Sequence, residues 1–523
     1  MLKNNLKLVI WSIIIFILSG VIWSAPLFYK GYPPQPVPDQ SLPLAKNLHF
    51  TGQYFLENQG VHLAYENIGN QNVSGLGPNR LTIMIYAKIY NLFGFQPNLA
   101  QYITIFIYAL INVLLFLFIR KIFDLKIGLI ASGLLLFIPF FWQTALLPGT
   151  HEWATLFFFL GFIIYWFNRQ AKRWWPGLFL TSILFSLAIW SRNSFIFSVA
   201  GIGLFELINK KSIKRILVLS LPIIITFLVP LIVSYFQTGS YYVNKDAYIN
   251  YNHCFPDAYT YFFDKESYLT ATAPNSQSDV LNCFIEHGFE AKQSQGLITY
   301  LRSLKFYLNE LLRLITFGGH FIWLLMILGA IKLRKKYPEM LTLFGVWAGV
   351  WLAGLIYLKS SNSNHLTEIR LMVVVLAALG IGYLGEILGA HFKFGNFTKI
   401  KKTVWLILVS LLSLGFLIEA DKWMFHEEYE TAKPEQIISI VKKIEKDNLK
   451  PKDVVVVNFS DPSILNFYVN KNLIYFSPQT LEKLITENKI KEVFAYYDID
   501  YIAGYDEQIT KLILEKTSVK KIE

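Results

Sequence analysis

The sequence is poor in charged residues. Only 16% of its 523 residues are Asp, Glu, Lys or Arg, whereas about a quarter of a soluble domain is charged. Hydrophobic residues make up 54% of the chain, and the mean hydropathy is +0.40. Many apolar runs reach the roughly 20 residues that a helix needs to cross a bilayer. The low charge excludes an ordinary soluble protein and predicts a polytopic α-helical membrane protein.

Acidic residues are fewer than basic ones, 36 against 48, which gives a net charge of +12. On a soluble protein this excess would suggest a nucleic-acid partner. Here the Lys and Arg residues fall in short loops between apolar runs, as the positive-inside rule predicts, so we expect no nucleic-acid partner. Lys3 and Lys7 precede the first apolar run and predict a cytoplasmic N-terminus in a multi-pass plasma-membrane protein.

Several sequence signatures are missing. The chain has no CxxC pair and no HExxH motif, so no zinc site is expected. No P-loop or dinucleotide fingerprint stands out either, which argues against a nucleotide-powered pump. The sequence therefore predicts neither a metal nor a cofactor.

Cysteine is also scarce, with two residues, Cys254 and Cys283, in one long polar loop. An oxidising compartment would favour their pairing, and their position in one predicted exterior loop favours a disulfide. The alternative is two unrelated free thiols.

The apolar runs predict about 11 transmembrane helices within a membrane domain at 1–420. The predicted spans are about 8–25, 99–119, 127–147, 150–167, two within 174–207 divided at Arg192, 215–236, 307–331, 339–357, 369–390 and 403–420. Exterior loops are predicted at 26–98 and 237–306. The apolar segment 80–95 is short and carries Lys88, which favours an interfacial helix.

After residue 420 the composition becomes charged, and helical patterns alternate with short apolar runs. This pattern predicts a small extramembrane α/β domain at 421–523 with a parallel sheet, on the extracytoplasmic side. DVVVVNF (453–459), LIYFS (473–477) and EVFAYY (492–497) are predicted as its strands.

Asp39 lies in the first exterior loop, among the prolines at 33, 34, 36, 38 and 43. Prolines fix φ and stiffen a loop, so this loop could hold a carboxylate where a reaction needs it. An acidic residue in an exterior loop is more often simply solvated.

A motif that follows Asp39 resembles the GT-C superfamily of polyprenyl-phosphate-sugar glycosyltransferases, and most closely its protein-mannosyltransferase and aminoarabinose-transferase branch. The motif consists of Ala45, Asn47, Leu48, Gly52 and Tyr54, followed by a Gly-Pro and by a helix that ends in NLFG. The resemblance implies sugar transfer to a lipid, glycan or protein acceptor on the outer face, with inversion and without a metal. Asp39 matches the family's catalytic base. The family commonly has a second acidic residue where this chain has Gln40.

A lipid-phosphate leaving group needs cationic ligands, and the planar guanidinium suits phosphate. We expect Arg80, Arg192 and Arg370 to supply them. The alternatives are a snorkelling side chain for Arg80 and an outer-leaflet anchor for Arg192.

Two further polar groups start predicted spans. His365, Glu368 and Arg370 begin span 10, as a substrate site or as a solvated cap. His151 and Glu152 begin span 4, and the resemblance implies a role in acceptor positioning. Ordinary helix capping is the alternative for Glu152.

Two other classes of protein compete with the enzyme. A transporter or lipid flippase would predict paired repeats and midplane charges, but the sequence has no internal repeat and its charged candidates lie at the outer ends of spans. A scaffold that binds envelope polymer through its C-terminal domain is the third hypothesis.

Overall fold

The computed structural model describes residues 2–30, 41–51, 80–137, 139–146, 148–149, 151–209, 213–238, 301, 304–307, 321–357, 367–391, 434–447, 449, 453–458, 465, 467–469, 472–474, 476, 478–496 and 499–522. Asp39, His365, Cys254 and Cys283 lie outside these ranges, as does the predicted span at 403–420.

Helices dominate the membrane region. They are α1 (Leu2–Lys30), α2 (Ser41–Thr51), α3 (Arg80–Phe93), α4 (Leu99–Ile122), α5 (Leu125–Phe137), α6 (Pro139–Leu146), α7 (His151–Asn168), α8 (Trp174–Ser191), α9 (Phe195–Ile208), α10 (Ile213–Thr238), α11 (Phe321–Lys336), α12 (Pro338–Tyr357) and α13 (Thr367–His391). Among the described residues, five helices (α1, α4, α8, α12 and α13) are long and apolar enough to cross a membrane. The count of about 11 stays a prediction.

Prolines and short polar turns decide where these helices break. The predicted span 127–147 is two helices, because α6 begins at Pro139, which has no N–H to continue the ladder of α5. The predicted division at Arg192 is present, since α8 ends at Ser191 and α9 begins at Phe195.

The described residues divide into two compact units. The first contains α1, α4–α9, most of α10, and α11–α13. Its core is aromatic: Phe158 of α7 stacks on Phe185 of α8, with ring centroids 5.1 Å apart, and also lies 5.0 Å from Trp347 of α12. Rings of this size bury a large apolar area in a fixed geometry.

Glycines allow α11 and α13 to approach closely. A Cβ added at Gly380 of α13 would overlap the carbonyl oxygen of Leu325, and one added at Gly329 of α11 would overlap that of Leu376. Small residues at such contacts let helix backbones pack in membrane proteins.

A polar cluster joins three helices of the same unit. The Asn112 amide on α4 donates to Ser19 Oγ on α1 at 3.0 Å, and Ser132 Oγ on α5 donates to Asn112 Oδ1 at 2.9 Å. All three side chains are buried. These bonds satisfy polar groups in the apolar core and fix the register of α1 against α4 and α5.

The second unit contains α2, α3 and the C-terminal elements. The C-terminal elements are α14 (Pro434–Lys446), β1 (Val454–Val457), β2 (Asn472–Ile474), α15 (Pro478–Thr486), α16 (Ile490–Tyr496), β3 (Ile499–Ala503), α17 (Glu507–Lys516) and β4 (Lys520–Lys521). The four strands form a parallel sheet in the order β2-β1-β3-β4. Val454 and Val456 enter one apolar cluster and Val455 and Val457 another, so both faces of β1 are buried.

One predicted strand is wrong. EVFAYY (492–497) falls mainly in α16, and the strand follows it at β3. In α16, Ile490, Val493 and Phe494 are buried, and this i, i+3, i+4 spacing is that of a helix face. A six-residue apolar run is too short for periodicity to separate the two states.

Candidate active site

Four of the residues predicted to form the site have described side chains, and all four lie in the first unit: His151, Glu152, Arg192 and Arg370. For Arg80, the first residue of α3, and for Glu368, in α13, the structure describes the backbone only.

Glu152 is fully buried in the first turn of α7. Its Oε1 accepts a hydrogen bond from the Gly149 backbone N–H at 3.1 Å and one from Thr104 Oγ1 on α4 at 3.4 Å. The bond to Gly149, two residues before His151, is the capping geometry of a Glu that reaches back to the backbone just before its helix. The cap therefore fixes the position of the carboxylate. A buried carboxylate costs free energy unless hydrogen bonds or an opposite charge compensate it.

Arg192 lies at the break between α8 and α9. Its backbone is extended, with φ −156° and ψ 115°, and its N–H donates to the Ala188 carbonyl at 2.9 Å. Its own carbonyl accepts from the Phe195 N–H at 3.1 Å. The side chain is partly buried, so Arg192 extends from a well-defined turn and is not fully exposed to solvent.

Arg370 is 3% exposed in the first turn of α13. This burial is incompatible with a solvated cap, which was the alternative for this arginine. A guanidinium is very rarely taken out of water unless it is paired or binds a ligand.

The packing of α7 on α8 brings two of these positions to one level. Phe158 stacks on Phe185, and Thr181 Oγ1 donates to the Gly161 carbonyl at 3.3 Å. The register is antiparallel, because the later residue of α7 contacts the earlier residue of α8. The start of α7 therefore lies level with the end of α8, where Arg192 follows.

A small cavity of about 20 Å³ lies between α4, α7, α12 and α13. Thr155, one turn after Glu152, lines it, and so does Leu371, the residue after Arg370. The other lining side chains are aromatic or aliphatic. The starts of α7 and α13 therefore flank the same cavity.

The first unit thus gathers one buried carboxylate and two arginines at the ends of neighbouring helices. Guanidinium groups bind phosphate through paired hydrogen bonds, and a carboxylate can orient a guanidinium or a hydroxyl. This end of the unit is chemically suited to an anionic head group that carries hydroxyls. Among the described residues, no group of three His, Cys, Asp or Glu side chains could hold a metal ion.

Sequence reasoning missed a second buried charge cluster. The Arg215 guanidinium donates to both carboxylate oxygens of Glu206, at 2.9 and 3.3 Å, and the Tyr165 hydroxyl donates to Glu206 at 2.6 Å. Arg215 also donates to the Arg169 carbonyl at 2.8 Å, and Arg169 pairs with Glu339 at 2.6 Å. Burial lowers the pKa of Arg169, and Glu339 opposes this shift. The cluster joins the ends of α7 and α9 to the starts of α10 and α12.

Thr104 and Lys46 were also missed. No motif indicated Thr104, the partner of Glu152 on α4. Lys46 on α2 is 1% exposed. It follows Leu42 by four residues, and Leu42 is buried on the same helix. This i, i+4 spacing could have placed Lys46 on the packed face.

No family model matches the chain, and no curated protein matches it by sequence. Solved structures do share its fold. The aminoarabinose transferase ArnT from Cupriavidus metallidurans, bound to undecaprenyl phosphate, matches over 98% of this chain and 90% of its own, with a TM-score of 0.55 and 12% identity. The oligosaccharyltransferase AglB from Archaeoglobus fulgidus, in complex with an inhibitory peptide and a dolichol-phosphate, matches over 94% and 69%, with a TM-score of 0.50 and 12% identity.

Both proteins are members of the GT-C superfamily. A second structure of the archaeal enzyme, with zinc and sulfate, has a TM-score of 0.51 at 13% identity over 93% of this chain and 67% of its own. At such identities the likeness shows the fold, and at that level the predicted GT-C resemblance is confirmed.

Proposed function

We propose that this protein is an integral membrane glycosyltransferase. It moves a hexosyl or pentosyl group from a polyprenyl-phosphate donor to an acceptor on the outer face of the plasma membrane. The observation that supports it most is the GT-C fold over nearly the whole chain, with Glu152, Arg192 and Arg370 at neighbouring helix ends. The donor class follows from the polyprenyl phosphates in the two neighbours' structures and from this arginine chemistry.

In the proposed reaction the acceptor oxygen attacks the anomeric carbon, while the bond from that carbon to the donor phosphate oxygen breaks. The electron pair of the broken bond leaves with the phosphate, and one displacement inverts the anomeric centre. Asp39 takes the acceptor proton as general base. The position of Asp39 just before the motif that begins at Ala45 matches the place of the catalytic base in the GT-C resemblance, and this match supports the role.

The leaving lipid phosphate is anionic, so it needs cations rather than an acid. Arg192, Arg370 and Arg80 bind it through guanidinium hydrogen bonds. Glu152 orients the acceptor with His151, and His365 and Glu368 complete the substrate site at the start of α13. Cys254 and Cys283 form a disulfide in the exterior loop at 237–306.

The proposed topology has about 11 spans in a membrane domain at 1–420 and a cytoplasmic N-terminus. The C-terminal α/β domain at 421–523 is extracytoplasmic, on the side of Asp39. Sugar, acceptor and donor then meet outside, and the spans hold the prenyl tail so that binding remote from the reaction orients the sugar.

The test is sugar transfer by the purified full-length protein from a panel of radiolabelled polyprenyl-phosphate sugars, with wild type, Asp39→Asn and the control Asp447→Asn compared. We expect wild type and Asp447→Asn to transfer one sugar, and folded Asp39→Asn to lose at least about 100-fold in kcat. Transfer that survives in Asp39→Asn would keep the enzyme class and contradict the assigned base.

A further inference from the structure

We propose that the C-terminal domain holds α2, the helix that follows Asp39 in the sequence, and that Lys46 is the positioning residue that joins α2 to this domain. This inference rests on the proposed function, because it assigns a role in sugar transfer. All the contacts that carry it lie within the second compact unit.

Lys46 is a buried cation at the contact between α2 and the C-terminal domain. It is 1% exposed, its Nζ donates to the Val469 carbonyl at 3.1 Å, and it lies 5.4 Å from the centre of the Phe95 ring. A desolvated ammonium interacts favourably with a carbonyl oxygen and with the face of an aromatic ring. The carbonyl belongs to a residue 423 positions along the chain, so the bond joins two distant segments.

Aromatic packing covers this hydrogen bond. Phe95, just after α3, meets Phe467 edge-on with centroids 5.6 Å apart, and meets Tyr90 of α3 at 5.1 Å. Phe467 is 1% exposed and Tyr90 is fully buried. Burial raises the pKa of Tyr90, and the neighbouring Tyr468 raises it further. The ring contacts of Phe95 bring the end of α3 close to this part of the C-terminal domain.

The segment that carries Val469 also packs against β1. Leu465 and Val469 are buried in the same apolar cluster as Val455 and Val457 of β1. Phe467, between them, points to Phe95 instead. Residues 465 and 467–469 therefore contact both the sheet and the α2–α3 region, and they hold the two at a fixed distance.

The position of α2 matters because the helix begins at Ser41, two residues after the proposed base. α2 also packs along α3, so its N-terminus is held on two sides. A displacement of about 1 Å at a reacting group can reduce turnover roughly 100-fold. A contact that fixes α2 thus affects the rate of the reaction without touching the donor.

The test compares full-length wild type with Lys46→Met, which keeps the length of the side chain and removes its charge. Lys88→Met, at an exposed lysine on α3, is the matched control. We expect faster amide hydrogen exchange in 41–51 and 465–469 for Lys46→Met only. We also expect its kcat to fall roughly 100-fold, with a donor KM within about threefold of wild type.

A second variant, Phe467→Ala, breaks the same contact from the C-terminal domain. It should reproduce the loss in kcat, and the double variant should lose little more, because both changes release one contact. Unchanged exchange and unchanged kcat in Lys46→Met would overturn the proposal, as would a raised donor KM with normal kcat, which would make Lys46 a binding residue. If wild type transferred no sugar, the proposed function would fail, and the exchange comparison would still decide the docking.

Discussion

The buried pair of Glu206 and Arg215 should contribute more stability than the pair of Arg169 and Glu339, in which the carboxylate is exposed to solvent. The Glu206 and Arg215 side chains are 2% and 8% exposed, whereas that of Glu339 is 45% exposed. Removing one partner of a buried ion pair costs about 3–5 kcal/mol, because the remaining charge stays buried. A pair with one partner exposed, as Glu339 is, contributes only about 0–1 kcal/mol, since water screens the exposed charge.

Glu206→Gln keeps the size of the side chain and removes its charge. Arg215 would retain its bond to the Arg169 carbonyl and its position over the Trp174 ring, 5.2 Å from the centroid. We therefore expect a loss near the lower limit, about 3 kcal/mol. For a chain of this size this loss should lower the melting temperature by roughly 3 °C, because the unfolding entropy grows with chain length.

The assay is thermal unfolding of purified protein in detergent, followed by size-exclusion fluorescence, with Glu339→Gln as the matched control. We expect a shift of at most roughly 1 °C for the control. Adding Arg215→Gln to Glu206→Gln should recover part of the loss, because it removes the uncompensated cation. Equal shifts in the two single variants would refute the argument from burial.

Two packing predictions use the same assay. Gly380→Ala should destabilise by about 1–3 kcal/mol, because its Cβ would overlap the Leu325 carbonyl and force α11 and α13 apart; Gly349→Ala, where a Cβ meets open space, should be neutral or slightly stabilising. An equal loss at both glycines would contradict the close-approach argument. Asn112→Leu should cost about 1–2 kcal/mol, because it removes hydrogen bonds that each contribute roughly 0.6 kcal/mol between membrane helices. No measurable loss would mean that Ser132 finds other partners.

Apolar length and basic loops predicted much of the helical framework. The break at Arg192 was predictable because a charged residue interrupts an otherwise apolar stretch between two basic loops. The predicted helix after residue 80 is present as α3, and its interfacial position stays a prediction from its short length and Lys88. Among the helical patterns noted after residue 420, the one that begins at Pro434 is present as α14, since its apolar positions follow a clear helical period.

Contacts between distant segments were not predictable from one sequence. The spacing from Leu42 could place Lys46 on a packed face, but no pattern indicates that Val469 and Phe95 are its partners. No pattern indicates that Arg215 and Tyr165 contact Glu206 either. Short apolar runs were also ambiguous. EVFAYY has strand-like composition, but the sheet places its strand one segment later.

The burial of the site residues Glu152 and Arg370 was also not predictable from sequence patterns. Helix capping was an alternative for Glu152, and the capping bond to Gly149 is present. A capping glutamate does not need to be buried, however, so capping alone does not explain the full burial of this carboxylate. The burial of Arg370 depends on how α13 packs in the first unit, which periodicity does not specify.

The most direct test of the proposed activity is donor turnover. Purified wild-type protein would be incubated with a polyprenyl-phosphate sugar labelled in both the sugar and the phosphate, and the released lipid phosphate would be compared with the sugar on acceptor. We expect one lipid phosphate for each sugar transferred, with the anomeric configuration inverted. A folded protein that releases no lipid phosphate from any donor of the panel would contradict a lipid-linked sugar transferase.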